Sequence, residues 1–253
     1  MGRGALQALR VSPSAWGRLR ELRESAAAAG VSIHKEPTES LDARAEGHRH
    51  QGVVGEGAGL FFTDMRYLLE KMKDRGRDGL ALLLDGVTDA HNFGAILRSA
   101  AAAGVDGVVF PERRSARVNE GVIRASAGMA GRVPLIRVVN LGRALDALKD
   151  AGVTAVGMSA KGEGCGDYLD EEFDRATAII IGSEGAGLRQ KIRERCDSLL
   201  SIGMPGGTDS LNVSAAAAIV LFRALACRAD RKTAVPPSRR SRSVAPKYGG
   251  ACR

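Results

Sequence analysis

The sequence predicts an α/β fold: a parallel sheet with helices on both faces. Three observations predict it. From about residue 79, short β-rich apolar runs alternate with helical stretches. The runs are continuously apolar rather than alternating, the pattern of strands covered on both sides. Ala103-Gly104 and Ala151-Gly152 close two of the helical stretches just before the next run, as C-terminal glycine caps do.

In chain order, strands are expected at 80–84, 105–110, 133–139, 153–158, 178–181 and 199–202. Helices are expected at 94–103, 120–130, 142–151, 188–196 and 213–228. Roughly 150 residues of such units make one doubly wound domain. The first 75 residues differ. A helix at 14–29 carries a Leu19/Leu22 stripe, and 31–34 and 51–54 read as strands, so this part is a small α/β module. The expected organisation is a module over 1–62, a partly helical connector over 63–78, the main domain over 79–228, and a tail over 229–253. Pro236-Pro237, Ser-Arg pairs and Gly249-Gly250 give the tail the composition of a disordered segment. No internal repeat is present.

Composition narrows the function classes. Of a net charge of +8 over 253 residues, residues 228–253 carry seven, so the charge does not mark the folded part as a nucleic-acid binder. The four cysteines, Cys165, Cys196, Cys227 and Cys252, form no CxxC pair, and no HExxH occurs. His48 and His50 flank Arg49 without a matching ligand cluster, so no metal site is expected. No apolar run is long enough for a bilayer, and the first residues lack an apolar signal core, which points to a cytoplasmic protein with no membrane partner.

Three segments carry polar residues and glycines where a strand should run into a helix, the edge at which α/β proteins bind ligands. The first is Asn92-Phe-Gly94-Ala-Ile-Leu-Arg98. Asn92 is a good N-cap, and Gly94 and Arg98 share a helix face, so a phosphate or sugar could sit there. An ordinary capped helix with a surface arginine is the simpler reading of this segment alone. The second is Gly182-Ser-Glu184-Gly-Ala-Gly187. Its glycines permit close backbone approach of a ligand. Glu184 could hold a hydroxyl, order an arginine or favour a helix N-terminus. It is not a GxGxxG dinucleotide fingerprint, because Glu184 stands where the second glycine belongs. The third runs from a strand through Pro205-Gly-Gly to Ser210-Leu-Asn212-Val-Ser214. Its exposed backbone over 202–207 could hydrogen-bond an adenine edge, while Ser210 and Asn212 could cap the following helix or contact a substrate. The run Ala215-Ala-Ala-Ala218 suits close helix packing, within the chain or at a dimer interface.

Together and in this order, the segments resemble the signature motifs of the SpoU (TrmH-like) RNA ribose 2′-O-methyltransferases. The resemblance spans 79–228. Asp85-Gly-Val-Thr-Asp-Ala-His-Asn-Phe-Gly, Leu97-Arg98-Ser-Ala and Pro134-Leu-Ile-Arg-Val-Val-Asn-Leu are similar to the subfamily that methylates a guanosine ribose in bacterial 23S rRNA. His50-Gln51-Gly52-Val-Val resembles the end of that subfamily's small ribosomal-protein-like RNA-binding domain.

The resemblance implies a deep C-terminal trefoil knot, S-adenosylmethionine (SAM) as methyl donor, RNA as substrate and a homodimer. It implies that Gly182, Ile202, Met204 and Leu211 hold SAM largely through backbone groups, with Ser159 and Ala160 lining the pocket. It implies a catalytic group of Arg98, Asn92, Glu184, Ser210 and Asn212, with Arg98 acting across the dimer. The family usually has a further helix and strand ahead of the residue-10 region, so the N-terminal module is expected to be truncated, with an exposed sheet edge. The rival readings are a tRNA ribose methyltransferase, a catalytically silent RNA-binding protein on the same fold, and a generic nucleotide-binding module. The intact Arg98, Glu184 and Asn212 count against the second, and missing P-loop and GxGxxG patterns against the third.

Overall fold

The computed structural model describes residues 6–45, 47, 49–57, 60, 62–160, 164–208 and 210–233. The N-terminal module contains strand β1 (Leu6–Val11), helix α1 (Arg20–Ala28), β2 (Ser32–Lys35), α2 (Thr38–Arg44) and β3 (Val53–Gly57). β1 is central in the order β2-β1-β3, parallel to β2 and antiparallel to β3. Leu9, Val11, Ala15 and Ala26 form its small core, with Trp16 and Leu19 against it. Two elements here were not expected, β1 and α2. The helix expected from residue 14 starts only at Arg20, because Ser12 to Leu19 form turns in which the Ser12 carbonyl and Oγ both accept from the Ala15 N–H. The His50-Gln51-Gly52 segment is a tight turn docked on those turns. A Cβ at Gly52 would lie 2.5 Å from that of Ala15.

A charged cluster closes this module. Arg10 donates two hydrogen bonds to Glu56, both 2.8 Å, and pairs with Glu36; Arg44 reaches the same two carboxylates at 2.6 and 3.1 Å. The Arg10 hydrogen bonds hold the Glu56 carboxyl below the usual carboxylate range, despite some desolvation. A depressed carboxyl stabilises the fold above its ordinary pKa, and that contribution disappears as pH falls through the folded value. Acid should therefore loosen the module first. Trp16, the chain's single tryptophan, sits under Arg23 at 4.1 Å and reports it. Its fluorescence is expected to change below about pH 4, and Glu56→Gln should produce part of that change at neutral pH.

The main domain follows: β4 (Phe62–Thr63), α3 (Met65–Arg75), β5 (Leu80–Asp85), α4 (Ala90–Ala103), β6 (Gly107–Pro111), α5 (Glu120–Ala125), β7 (Leu135–Val138), α6 (Leu141–Asp150), β8 (Thr154–Met158), β9 (Gly166–Asp167), β10 (Thr177–Gly182), α7 (Gln190–Arg193), β11 (Ser198–Ser201) and α8 (Val213–Thr233). The eight strands form one sheet, order β4-β7-β6-β5-β10-β8-β11-β9, and every pairing is parallel. Along β5 both faces are buried, as its continuous apolar run requires. Leu80, Leu82 and Leu84 enter a core shared with α4, α5 and α8, while Ala81 and Leu83 enter one shared with α3 and α6. Gly104 and Gly152 end their helices with φ of 70° and 81°, the left-handed conformation that makes glycine the cheap choice.

Several expectations shift. The helix expected at 120–130 breaks into α5 and a 3₁₀ turn at Met129–Arg132, and that at 188–196 shrinks to the four residues of α7. Helix α8 runs on to Thr233. Its end is held by Arg228, only 6% exposed, which donates to the Gly79 and Arg175 carbonyls at 3.0 and 3.3 Å. Arg231 pairs with Asp78 and donates to the Asp174 carbonyl at 2.7 Å. Two of the basic residues counted over 228–253 are thus spent inside the fold; residues 234–253 lie outside the described set. Among the described residues no helix is long and apolar enough to cross a membrane, and no group of His, Cys, Asp or Glu could hold a metal ion.

Candidate active site

The C-terminal ends of β5, β8, β10 and β11 gather the three motifs at one edge. β10 ends in Gly182, and the chain turns back on itself there. Ser183 and Gly187 exchange backbone hydrogen bonds of 3.0 and 2.9 Å, leaving Glu184 and Gly185 at the tip. Gly185 and Gly187 take φ of 84° and 65°. The turn is fastened from below by Asp85 at the end of β5. Its buried carboxylate accepts from the Arg189 N–H at 2.9 Å and Nε at 2.6 Å. An ion pair this well hydrogen-bonded offsets its own desolvation. Asp85 and Arg189 were not singled out in the sequence as site residues, and the 104 residues between them hide the link.

Asn92 is not the N-cap of α4. Asp89 caps it, accepting from the Asn92 N–H at 2.7 Å, and this frees the Asn92 amide. That amide joins all three motifs. Its Nδ2 donates to Glu184 Oε2 at 3.0 Å, and its Oδ1 accepts from Asn212 Nδ2 at 2.9 Å. Asn212 Oδ1 accepts in turn from the Ser214 N–H and hydroxyl at 2.9 and 2.6 Å, capping α8. The carboxylate can only accept, so it fixes which way each amide faces. Asn212 is both helix cap and member of this network. Glu184 is not at the start of α7, whose first residue is Gln190.

Beside this network opens a cleft of about 720 Å³. Ser159, Ala160, Gly182, Ile202, Met204 and Leu211 all line it, as do Glu184 and Ser210. Its apolar floor is Met158, Ile181, Val213 and Ala216. The Ile202–Gly207 loop makes one internal backbone bond among the described residues, Gly207 N–H to Met204 carbonyl at 3.2 Å, so the peptide edges of Ile202 and Gly203 are left for a ligand. Arg193 of α7 braces the rim, donating to Ser159 Oγ at 2.9 Å. The Ser159 hydroxyl is therefore engaged within the protein.

Two expectations from the first motif change. Gly94 is no ligand seat: a Cβ there would sit 2.5 Å from that of Ala125 and 2.7 Å from the Val122 carbonyl, so the glycine lets α5 pack on α4. Arg98 is exposed and stands apart from the network. Six residues beyond Asn92, it lies about 9 Å along the helix and roughly 240° around it. Among the described residues, Cys165, Cys196 and Cys227 are free and half-buried, and burial pushes the Cys196 thiol up to about 11.

Residues 79–222 match the SpoU rRNA Methylase family. The chain is also 41% identical over 208 residues to the 23S rRNA (guanosine-2'-O-)-methyltransferase RlmB of Xylella fastidiosa (strain 9a5c), covering 82% of this chain and 83% of that one. The chain belongs to the SpoU rRNA methylase family. Solved structures of SpoU proteins share the fold. AviRb from Streptomyces viridochromogenes, crystallised with the cofactor AdoMet, superposes with a TM-score of 0.69 at 28% identity, over 90% of this chain and 85% of that one. The A. aeolicus TrmH/SpoU tRNA modifying enzyme superposes at 0.56 and 29% identity, over 66% and 84%. The SpoU match ends at 222, so the last three turns of α8, with Arg228 and Arg231, lie beyond it.

Proposed function

We propose that this chain transfers a methyl group from SAM to the ribose 2′-oxygen of a guanosine in 23S rRNA. One observation carries the reading: Asn92, Glu184 and Asn212 meet at the mouth of a cleft whose glycine turn, apolar floor and free peptide edges suit an adenosine-bearing ligand. The RlmB relative supports the guanosine and the 23S substrate.

When bound, SAM supplies a methyl group already activated by its sulfonium, so the protein's work is positioning and the handling of one proton. Gly182, Ile202, Met204 and Leu211 hold the cofactor, with Ser159 and Ala160 at the rim. Asn212 orients Asn92, and Asn92 holds one oxygen of Glu184. The other oxygen is left to accept from the substrate hydroxyl. Ser210 contributes at the cleft mouth. Arg98 keeps its proton, as guanidinium groups do, and orients the hydroxyl and a neighbouring phosphate.

Since Arg98 stands apart from the network in its own chain, we place it in the site of a second copy. An apolar stripe on α8 supports a homodimer: Ala215, Ala218, Phe222 and Leu225 follow helical spacing, with Phe222 47% and Leu225 38% exposed. The chain path supports a trefoil knot. The segment from β8 to β10 passes outside β11 by way of β9, and α8 reaches back to it, Arg223 donating to the Leu169 carbonyl at 2.6 Å. The N-terminal module is the part suited to RNA selection, and ribosomal RNA as substrate places the enzyme in the cytoplasm.

The test uses purified protein, methyl-labelled SAM, unmodified 23S rRNA and a tRNA pool. Ribose label in the rRNA is expected. Label in tRNA alone would move the enzyme to the tRNA branch. SAM bound with no label in either RNA would point to a preribosomal substrate, and no SAM binding at all would leave a silent RNA-binding protein.

A further inference from the structure

A second cleft lies at the same edge of the sheet, on the far side of β5 from the cofactor cleft. It opens between β6, β7 and the loop that follows β6. Phe62, Phe110, Glu112, Ser115, Arg117 and Arg137 line it. Strand pairing explains the opening. β4 is two residues long and pairs only with Leu135 and Ile136, so Arg137 has β6 on one side and no strand on the β4 side. Phe62, Leu135 and Arg137 share one face of the sheet, and the Arg137 guanidinium lies 5.4 Å from the Phe62 ring centre.

Three features of the cleft are unused by the fold. Phe62 is 43% exposed, although large aromatics are ordinarily covered. The Ser115 hydroxyl is buried and has no hydrogen-bond partner among the described residues. Arg117 is exposed, as are Arg113 and Arg114 beside it, and none of the three makes an ion pair among the described residues. An aromatic face under a guanidinium suits a nucleobase, an orphan hydroxyl suits a base edge, and unpaired arginines suit a phosphate. An acidic peptide would use the arginines but not the ring or the buried hydroxyl.

We propose that this cleft is a subsite for a second, unmethylated nucleotide of the RNA substrate, its base stacked on Phe62 and Arg137 and its phosphate on Arg117. The inference rests on the RNA methyltransferase reading above. The spacing agrees with it. Three strand intervals separate β7 from β10, about 14 Å, a span that two nucleotide steps of an extended strand cross. The loop carrying Arg117 is also fixed to the catalytic side, the Ala116 N–H donating to the Val87 carbonyl at 2.9 Å, five residues before Asn92.

The test measures methylation kinetics of the full chain on two unmodified rRNA fragments, one with single-stranded flanks and one trimmed around the target. Phe62→Ala and Arg117→Ala should each raise the KM for the flanked fragment about tenfold, the scale of losing one stacked base or charged contact. Affinity for SAM should stay at the wild-type value, and Phe62→Trp should restore the KM. On the trimmed fragment both variants should match the wild type. An unchanged KM on the flanked fragment, or an equal rise on both, overturns the subsite. Absence of both methylation and SAM binding in the wild-type protein would instead mean that the methyltransferase reading had failed, and the subsite with it.

Discussion

Gly182→Ala is expected to abolish SAM binding and to lower the thermal midpoint. A Cβ at this position would fall well inside van der Waals contact with the Gly187 carbonyl and the Leu188 nitrogen. Those atoms are backbone and have little room to yield. The Ser183–Gly187 pair is closed by two hydrogen bonds, and two residues on, Arg189 is clamped to buried Asp85. Overpacking of this kind costs about 1–3 kcal/mol, a fall of roughly 3–10 °C in a chain of this size. The larger effect is local. Opening the turn moves Glu184 away from Asn92 and spoils the cleft wall at once. Calorimetric titration with SAM and a melting curve check both effects. Wild-type SAM affinity would show that the turn is not part of the cofactor site.

Arg98→Ala is expected to cut turnover by about two to three orders of magnitude, the usual cost of losing a charged group that acts at the transition state. Folding and SAM binding should be untouched. The side chain is exposed and makes no ion pair among the described residues, so its removal should change stability by no more than about 0.5 kcal/mol. Loss of SAM binding would make Arg98 a structural residue instead. The same variant tests the dimer. Arg98→Ala and Gly182→Ala proteins, each inactive, should regain activity when co-expressed, because one site of the mixed dimer combines an intact cleft with the other copy's arginine. No recovery would place Arg98 in its own chain's site.

Much of the fold was legible because its signals are local. Six of the eight strands of the main domain were readable from continuous apolar runs, and two helix ends from Ala-Gly pairs; β4 and β9, two residues each, were not. The elements that escaped are those with weak local signals. β1 reads Leu-Gln-Ala-Leu-Arg-Val, in which apolar and polar residues do not alternate, and its charged Arg10 pairs with Glu36 and Glu56. α2 is seven residues, too short for helical periodicity to show. Asn92 was misread as a cap because residue type alone favours it, while Asp89 three residues earlier does the work.

The sequence by itself determined the class of fold and marked six residues that line the cleft, together with Asn92, Glu184 and Asn212 of the polar network. These rest on residue identity and short spacing, which the chain carries wherever it folds. Tertiary structure decided how they meet. Asn92 bonds Glu184 across 92 residues and Asn212 across 120, and Asp85 clamps Arg189 across 104. Those pairings exist because β10 inserts between β5 and β8, and β11 lies beyond β8. Strand order of that kind is set by which buried faces pack together, and no periodicity in the chain encodes it.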